Sequence, residues 1–123
     1  MAAADGELVA QLKKAGSVVL DGNGNGTLYF DPDNANQRWE VTGVVVSTNQ
    51  GLAIPYPVAT LYVGPETSPA NNQGATASGN QDTFGGGCID VGNADQLAVV
   101  WTGGVPGSTA FAQVSGTKYT RRA

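Results

Sequence analysis

The strongest constraint on this chain is a two-residue rhythm that begins at Ser17 and runs almost to the last residue. In "RWEVTGVVVST", residues 38–48, alternation places Trp39, Val41 and Val45 on one face. In "DQLAVVWT", residues 95–102, it does the same for Leu97, Val99 and Trp101. The triplets "VVV" at 44–46 and "AVV" at 98–100 put apolar groups on both faces, as interior strands of a covered sheet do. Strands are expected at 17–20, 26–31, 38–48, 57–63, 88–91, 95–102 and 109–120. Turn chemistry separates them in "DPDNAN" at 31–36, "IPYP" at 54–57, "VGNAD" at 91–95 and "GGVPGS" at 103–108. Short strands at such regular spacing predict an all-β fold, a small antiparallel β-sandwich or jelly roll. Trp39 and Trp101 read as facing core anchors, because both sit inside apolar alternation; exposed sugar-stacking platforms are the alternative.

The totals narrow the function classes. At 123 residues the chain has room for one domain with a real core. A net charge of −4 argues against a nucleic-acid partner, which calls for a basic face. No apolar run approaches the roughly 18–20 residues that cross a bilayer, and no secretory apolar region opens the chain, so neither membrane nor export is expected. There is one cysteine, Cys88, and no histidine. An internal disulfide, a Cys–His pair, a Ser-His-Asp triad and the common zinc sites therefore have no residues to use. Cys88 reads as a small strand residue beside Ile89. Asp31 with Asp33, or Asp90 with Asp95, could pair as glycosidase carboxylates do, but solvated turn acids are the commoner use. No catalytic residue, cofactor or metal ligand is assigned.

Three segments need separate treatment. "DGNGNG", residues 21–26, copies the opening of a calcium loop, with Asp21, Asn23, Asn25 and Gly26 at positions 1, 3, 5 and 6. Position 12 is Pro32, which brings no oxygen, and "TLYF" after the loop favours a strand. A hairpin turn is the expectation, with a weak surface ion at Asp21, Asp31 and Asp33 as its alternative. "DGELVAQLKKAG", residues 5–16, reads as one short N-terminal α-helix: Asp5 caps it, Lys13 and Lys14 suit its negative end, and Gly16 stops it. Leu8, Leu12 and Ala15 share one helical face, which packs either on its own domain or on a neighbouring subunit. The chain thus divides into a helical arm over 1–16 and a β-sandwich domain over 17–123. The stretch 64–87 is polar with Phe84 as its single aromatic; "ATAS" with "DTF" could add an edge strand. The remainder is either a partner-contacting loop or a solvated insertion.

Charge is unevenly spread. Residues 17–117 carry one base, Arg38, against the acids Asp21, Asp31, Asp33, Glu40, Glu66, Asp82, Asp90 and Asp95. Lys13 and Lys14 precede that body, and Lys118, Arg121 and Arg122 follow it. Basic ends suit an acidic patch on a neighbour, or remain solvated.

A specific likeness covers nearly everything after Gly16. "Q-x-W-x-V" at Gln37, Trp39 and Val41 leads into "V-x-V-S-T" at Val44, Val46, Ser47 and Thr48. "W-T-G-G-x-P-G-x-x-A" follows at Trp101 to Gly104, Pro106, Gly107 and Ala110. In these motifs the chain resembles small β-sandwich virion proteins encoded by tailed phages of actinobacteria. The resemblance implies a non-enzymatic structural protein of the virion. Decoration of the assembled major-capsid shell is the first expectation, because the chain has no shaft or coiled-coil segment. A tail-tip or fibre-associated module touching the host surface, with or without a glycan, is the alternative. The partners implied are the major capsid protein and further copies of the chain, as a homotrimer over capsid axes. The chain would be made in the host cytoplasm and reside on the capsid surface. Leu8, Leu12, Lys13, Lys14, Phe84, Lys118, Arg121 and Arg122 are the candidate partner-binding residues.

Overall fold

The computed structural model describes residues 7–32, 36–64, 72–78, 81–84, 89–92 and 96–121. Its regular elements are all strands: β1 (Glu7–Val19), β2 (Gly26–Phe30), β3 (Gln37–Thr48), β4 (Val58–Gly64), β5 (Asn72–Ser78), β6 (Gln81–Phe84), β7 (Ile89–Val91), β8 (Gln96–Thr102) and β9 (Thr109–Arg121). One sheet runs β1-β9-β3, and the far side of β3 pairs with β6 along Val44–Ser47 and with β7 along Trp39–Val41. The other runs β2-β8-β4-β5, and every pairing is antiparallel. Successive strands β1 and β2, β3 and β4, and β8 and β9 fall in opposite sheets. This order is that of a jelly roll, with β6 and β7 together taking the place of one strand.

The all-β expectation holds, and the helix over 5–16 does not. From Glu7 onward that segment is strand, paired with β9 from Glu7↔Arg121 to Val19↔Thr109. A helix of three turns is marginal alone, whereas a thirteen-residue ladder pairs the N–H and C=O groups of alternate β1 residues with β9. The inward positions are Leu12, Gly16 and Val18, a period of two that Lys14 interrupts. Gly16 is therefore no helix stop: a side chain there would reach Leu28 at 3.4 Å and Phe30 at 3.8 Å across the sheet edge. β1 runs unbroken through residues 16 and 17, the expected boundary between arm and sandwich.

β3 corrects a second expectation. Trp39 and Val41 are buried, but so are Val44 and Val46, while Val45 is half exposed. The register between β3 and β9 slips between Val41 and Gly43, leaving Thr42 as the extra residue of a β-bulge. A bulge moves every later side chain to the opposite face. Thr42 Oγ1 reaches across to the Ser115 carbonyl oxygen at 3.4 Å.

The core lies between the sheets. Leu12, Trp39, Val41, Val44, Val46 and Val114 of the first sheet meet Leu61, Leu97, Val99 and Trp101 of the second, all fully buried. Both tryptophans are core, as expected. Trp39 donates its indole N–H to Gln37 Oε1 at 2.8 Å, and Gln37 Nε2 donates to Thr120 Oγ1 at 3.1 Å. The buried amide thus lets a large ring be enclosed without stranding its one polar group.

The polar stretch 64–87 supplies two strands. "ATAS" lies in β5, the edge of the second sheet, and "DTF" lies in β6 against β3. Cys88, Asp33 and Asp95 lie outside the described residues.

Candidate interaction surfaces

The residues expected to bind a partner do not share one surface. Leu12 is fully buried and belongs to the core. Leu8 lies half exposed near the start of β1. Lys13 projects from the outer face of β1, Lys14 is half-buried on the opposite face, and Lys118 is half-buried in β9. Arg121 is exposed at the end of β9, where its N–H donates to the Asn36 carbonyl at 2.8 Å. Phe84 ends β6 opposite Val44. Arg122 lies outside the described residues.

What the fold does bring together is charge. Lys13 and Lys14 sit on β1, Arg38 on β3, and Lys118 and Arg121 on β9, which are three adjacent strands of one sheet. The acids on these strands are Glu7 and Glu40. The four strands of the second sheet carry no charged residue. These three strands are therefore basic and the second sheet is neutral, while β6 and β7, on the far side of β3, add Asp82 and Asp90 to the first sheet. At the far end of this first sheet the guanidinium of Arg38 lies 4.2 Å from the centre of the Tyr119 ring, a cross-strand cation–π pair.

The opposite end is built from three loops. "DGNGN" is a corner between two sheets and not a hairpin, since β1 and β2 are not partners. The Asn23 and Asn25 N–H groups both donate to Asp21 Oδ1, at 2.8 and 3.0 Å. The carboxylate thereby organises its own turn, which accounts for the calcium-like spacing. Asn25 Oδ1 accepts from the Gly103 N–H at 3.0 Å, and the Gly104 N–H donates to the Gly24 carbonyl at 2.9 Å. Gly24 has φ of +74°, and a Cβ there would strike the Gly104 backbone, so glycine is required at this weld.

The 49–57 loop joins the same assembly through one side chain. Gln50 Nε2 donates to the Ala53 and Pro55 carbonyls at 2.8 Å each, and Gln50 Oε1 accepts from the Val105 N–H at 3.3 Å. Yet this braced loop turns its apolar groups outward: Leu52 is 90% exposed and Ile54 77%, with Tyr56 half exposed. Large apolar groups on a fixed loop are costly to hydrate and suit a surface made to be covered. Sequence reading missed this loop because "IPYP" registers only as a turn. The missed signal was three large apolar residues at alternate positions of an uncharged connection.

Gln50→Ala removes three hydrogen bonds from one residue. It is expected to lower the unfolding free energy by about 1–2 kcal/mol in urea titration and to open the 51–56 backbone to protease.

A shallow depression of about 210 Å³ opens on the outer face of the β1-β9-β3 ladder, lined chiefly by Ala15, Val45, Phe111 and Gln113. Among the described residues no group of three or more histidine, cysteine or acidic side chains converges as metal ligands would. No helix there is long and apolar enough to cross a membrane. Compared with protein-family models and with curated proteins, the chain matches none.

Proposed function

We propose that the protein is a non-enzymatic structural component of a phage virion, a decoration protein that binds and reinforces the assembled major-capsid shell as a homotrimer. The sequence motifs around Trp39 and Trp101 supply the virion reading. The observation that carries the docking is the segregation of charge. Five cations gather on β1, β9 and β3 of an otherwise acidic chain. Three adjacent basic strands on a rigid sandwich, with Asp82 and Asp90 set apart on β6 and β7, suit an acidic protein surface and orient the molecule upon it. Lys118 and Arg121, at the far end of β9, are the groups assigned to the shell. Repetition over many copies converts weak single contacts into firm attachment.

The test is cosedimentation with expanded capsids, prepared without this protein, of the phage that encodes it. Wild type is expected to bind, and to bind less as salt rises. Lys118→Glu combined with Arg121→Glu is expected to weaken binding at least tenfold, about 1.4 kcal/mol, while near-ultraviolet dichroism stays native. Absent or salt-indifferent binding by the wild type would sink the proposal.

A further inference from the structure

The apolar loop and the apolar depression lie on different parts of one chain, and each is left exposed by the fold. The depression holds about 210 Å³. Small-molecule sites commonly enclose about 300–1,000 Å³, so this one is sized for a side chain or two. Its floor is the β1-β9-β3 ladder, where register aligns Ala15, Gln113 and Val45 in one row and Ser17, Phe111 and Ser47 in the next. Val45 is 47% exposed and Phe111 42%. The bulge at Thr42 is what delivers Val45 to this outer face.

The loop is the matching convex shape. The 49–57 connection carries no charge, and Gln50 holds its backbone so that Leu52 and Ile54 project. Charge agrees as well. Asp21 is the one acid in the described loops at that end, and it is exposed. Lys13 is exposed on the outer face of β1, two residues from Ala15, hence about 7 Å along the strand from the depression.

We infer that copies of this chain assemble head to tail, the 49–57 loop of one seating Ile54 and Leu52 in the Val45–Phe111 depression of the next, with Asp21 facing Lys13 across the joint. Knob and socket are different patches of the chain, so seating the loop of each copy in the next copy along makes the contact directional. The joint is heterologous and closes into a ring. It leaves Lys118 and Arg121, at the other end of the sheet, outside the contact. The inference deepens the homo-oligomer part of the proposed function and rests on that part alone.

The experiment is light-scattering mass on the full chain over a concentration series. Wild type is expected at a multiple of 12.5 kDa, three times that value for the trimer. Ile54→Asp destroys the knob and Val45→Glu destroys the socket, so each alone is expected at 12.5 kDa. Mixed in equal amounts, the two are expected to give twice that mass, because the intact knob of one fits the intact socket of the other. Thermal unfolding of each variant establishes that it is folded, and Leu52→Asp replaces Ile54→Asp if the latter is not. A wild type that stays at 12.5 kDa, variants that keep the wild-type mass, or a mixture that fails to pair overturns the seating. The capsid assay separates the two ideas. A monomer that still binds capsids overturns only the ring, and an oligomer that ignores capsids overturns only the decoration.

Discussion

Gly116→Ala is expected to prevent stable folding, with a loss of more than about 4 kcal/mol. Gly116 lies in β9, the strand between β1 and β3, opposite Val41 and beside the bulge. Its φ is +157°, and a Cβ there would collide with the Glu40 carbonyl oxygen and sit 2.9 Å from the Val41 Cα. Both obstacles are backbone of the paired strand, so relief requires parting the sheet at its centre. Gly43, across the same bulge, is the control: its added Cβ would meet only Ser115 Oγ, at 3.3 Å. Gly43→Ala is expected to cost less than about 1 kcal/mol. Parallel chemical denaturation of the two variants checks the contrast, and equal losses would show that the bulge does not discriminate.

Trp39→Ala is expected to cost about 3–5 kcal/mol. The ring is fully buried, and its removal leaves a cavity between the sheets and takes the indole donor from Gln37 Oε1. Gln37 is itself 3% exposed, so that oxygen is left without water. Trp39→Phe separates the two causes: it keeps most of the volume and loses the hydrogen bond, with an expected cost of about 1–3 kcal/mol. Urea midpoints of the two variants should therefore fall in that order.

How much of this was legible beforehand depends on which interactions decide each element. The interior strands β3 and β8 were plain, because "RWEVTGVVVST" and "DQLAVVWT" carry their own alternation and their buried tryptophans. The face of Val45 was misjudged, because one extra residue at Thr42 inverts the phase and no local propensity announces it. In isolation β1 reads as a helix, because Leu8, Leu12 and Ala15 fit a helical stripe and Lys13 and Lys14 fit a helix end. What makes it a strand is β9, about a hundred residues away in sequence, and nothing local registers that pairing. The candidate surfaces were half legible. The basic residues were identified singly, but their gathering on three adjacent strands is a property of topology. The Leu52–Ile54 projection left only the alternate apolar residues of an uncharged connection as its signal, because exposure of such a loop also depends on the Gln50 brace beneath it.

The central placement of β9 also dictates how the chain must come into being. β1 and β3 flank it, so on the ribosome both wait without their common neighbour until residues 109–121 emerge. At roughly 5–20 residues per second, translation from Thr48 to Arg121 takes about 4–15 s, during which Trp39, Val44 and Val46 have no finished sheet to enter. Folding is thus a late event that joins the two most distant parts of the chain, the slow regime for non-local β pairing. A nascent product truncated before β9 presents sticky strand edges to its neighbours, and low temperature or a holding chaperone should raise the soluble yield of the complete one.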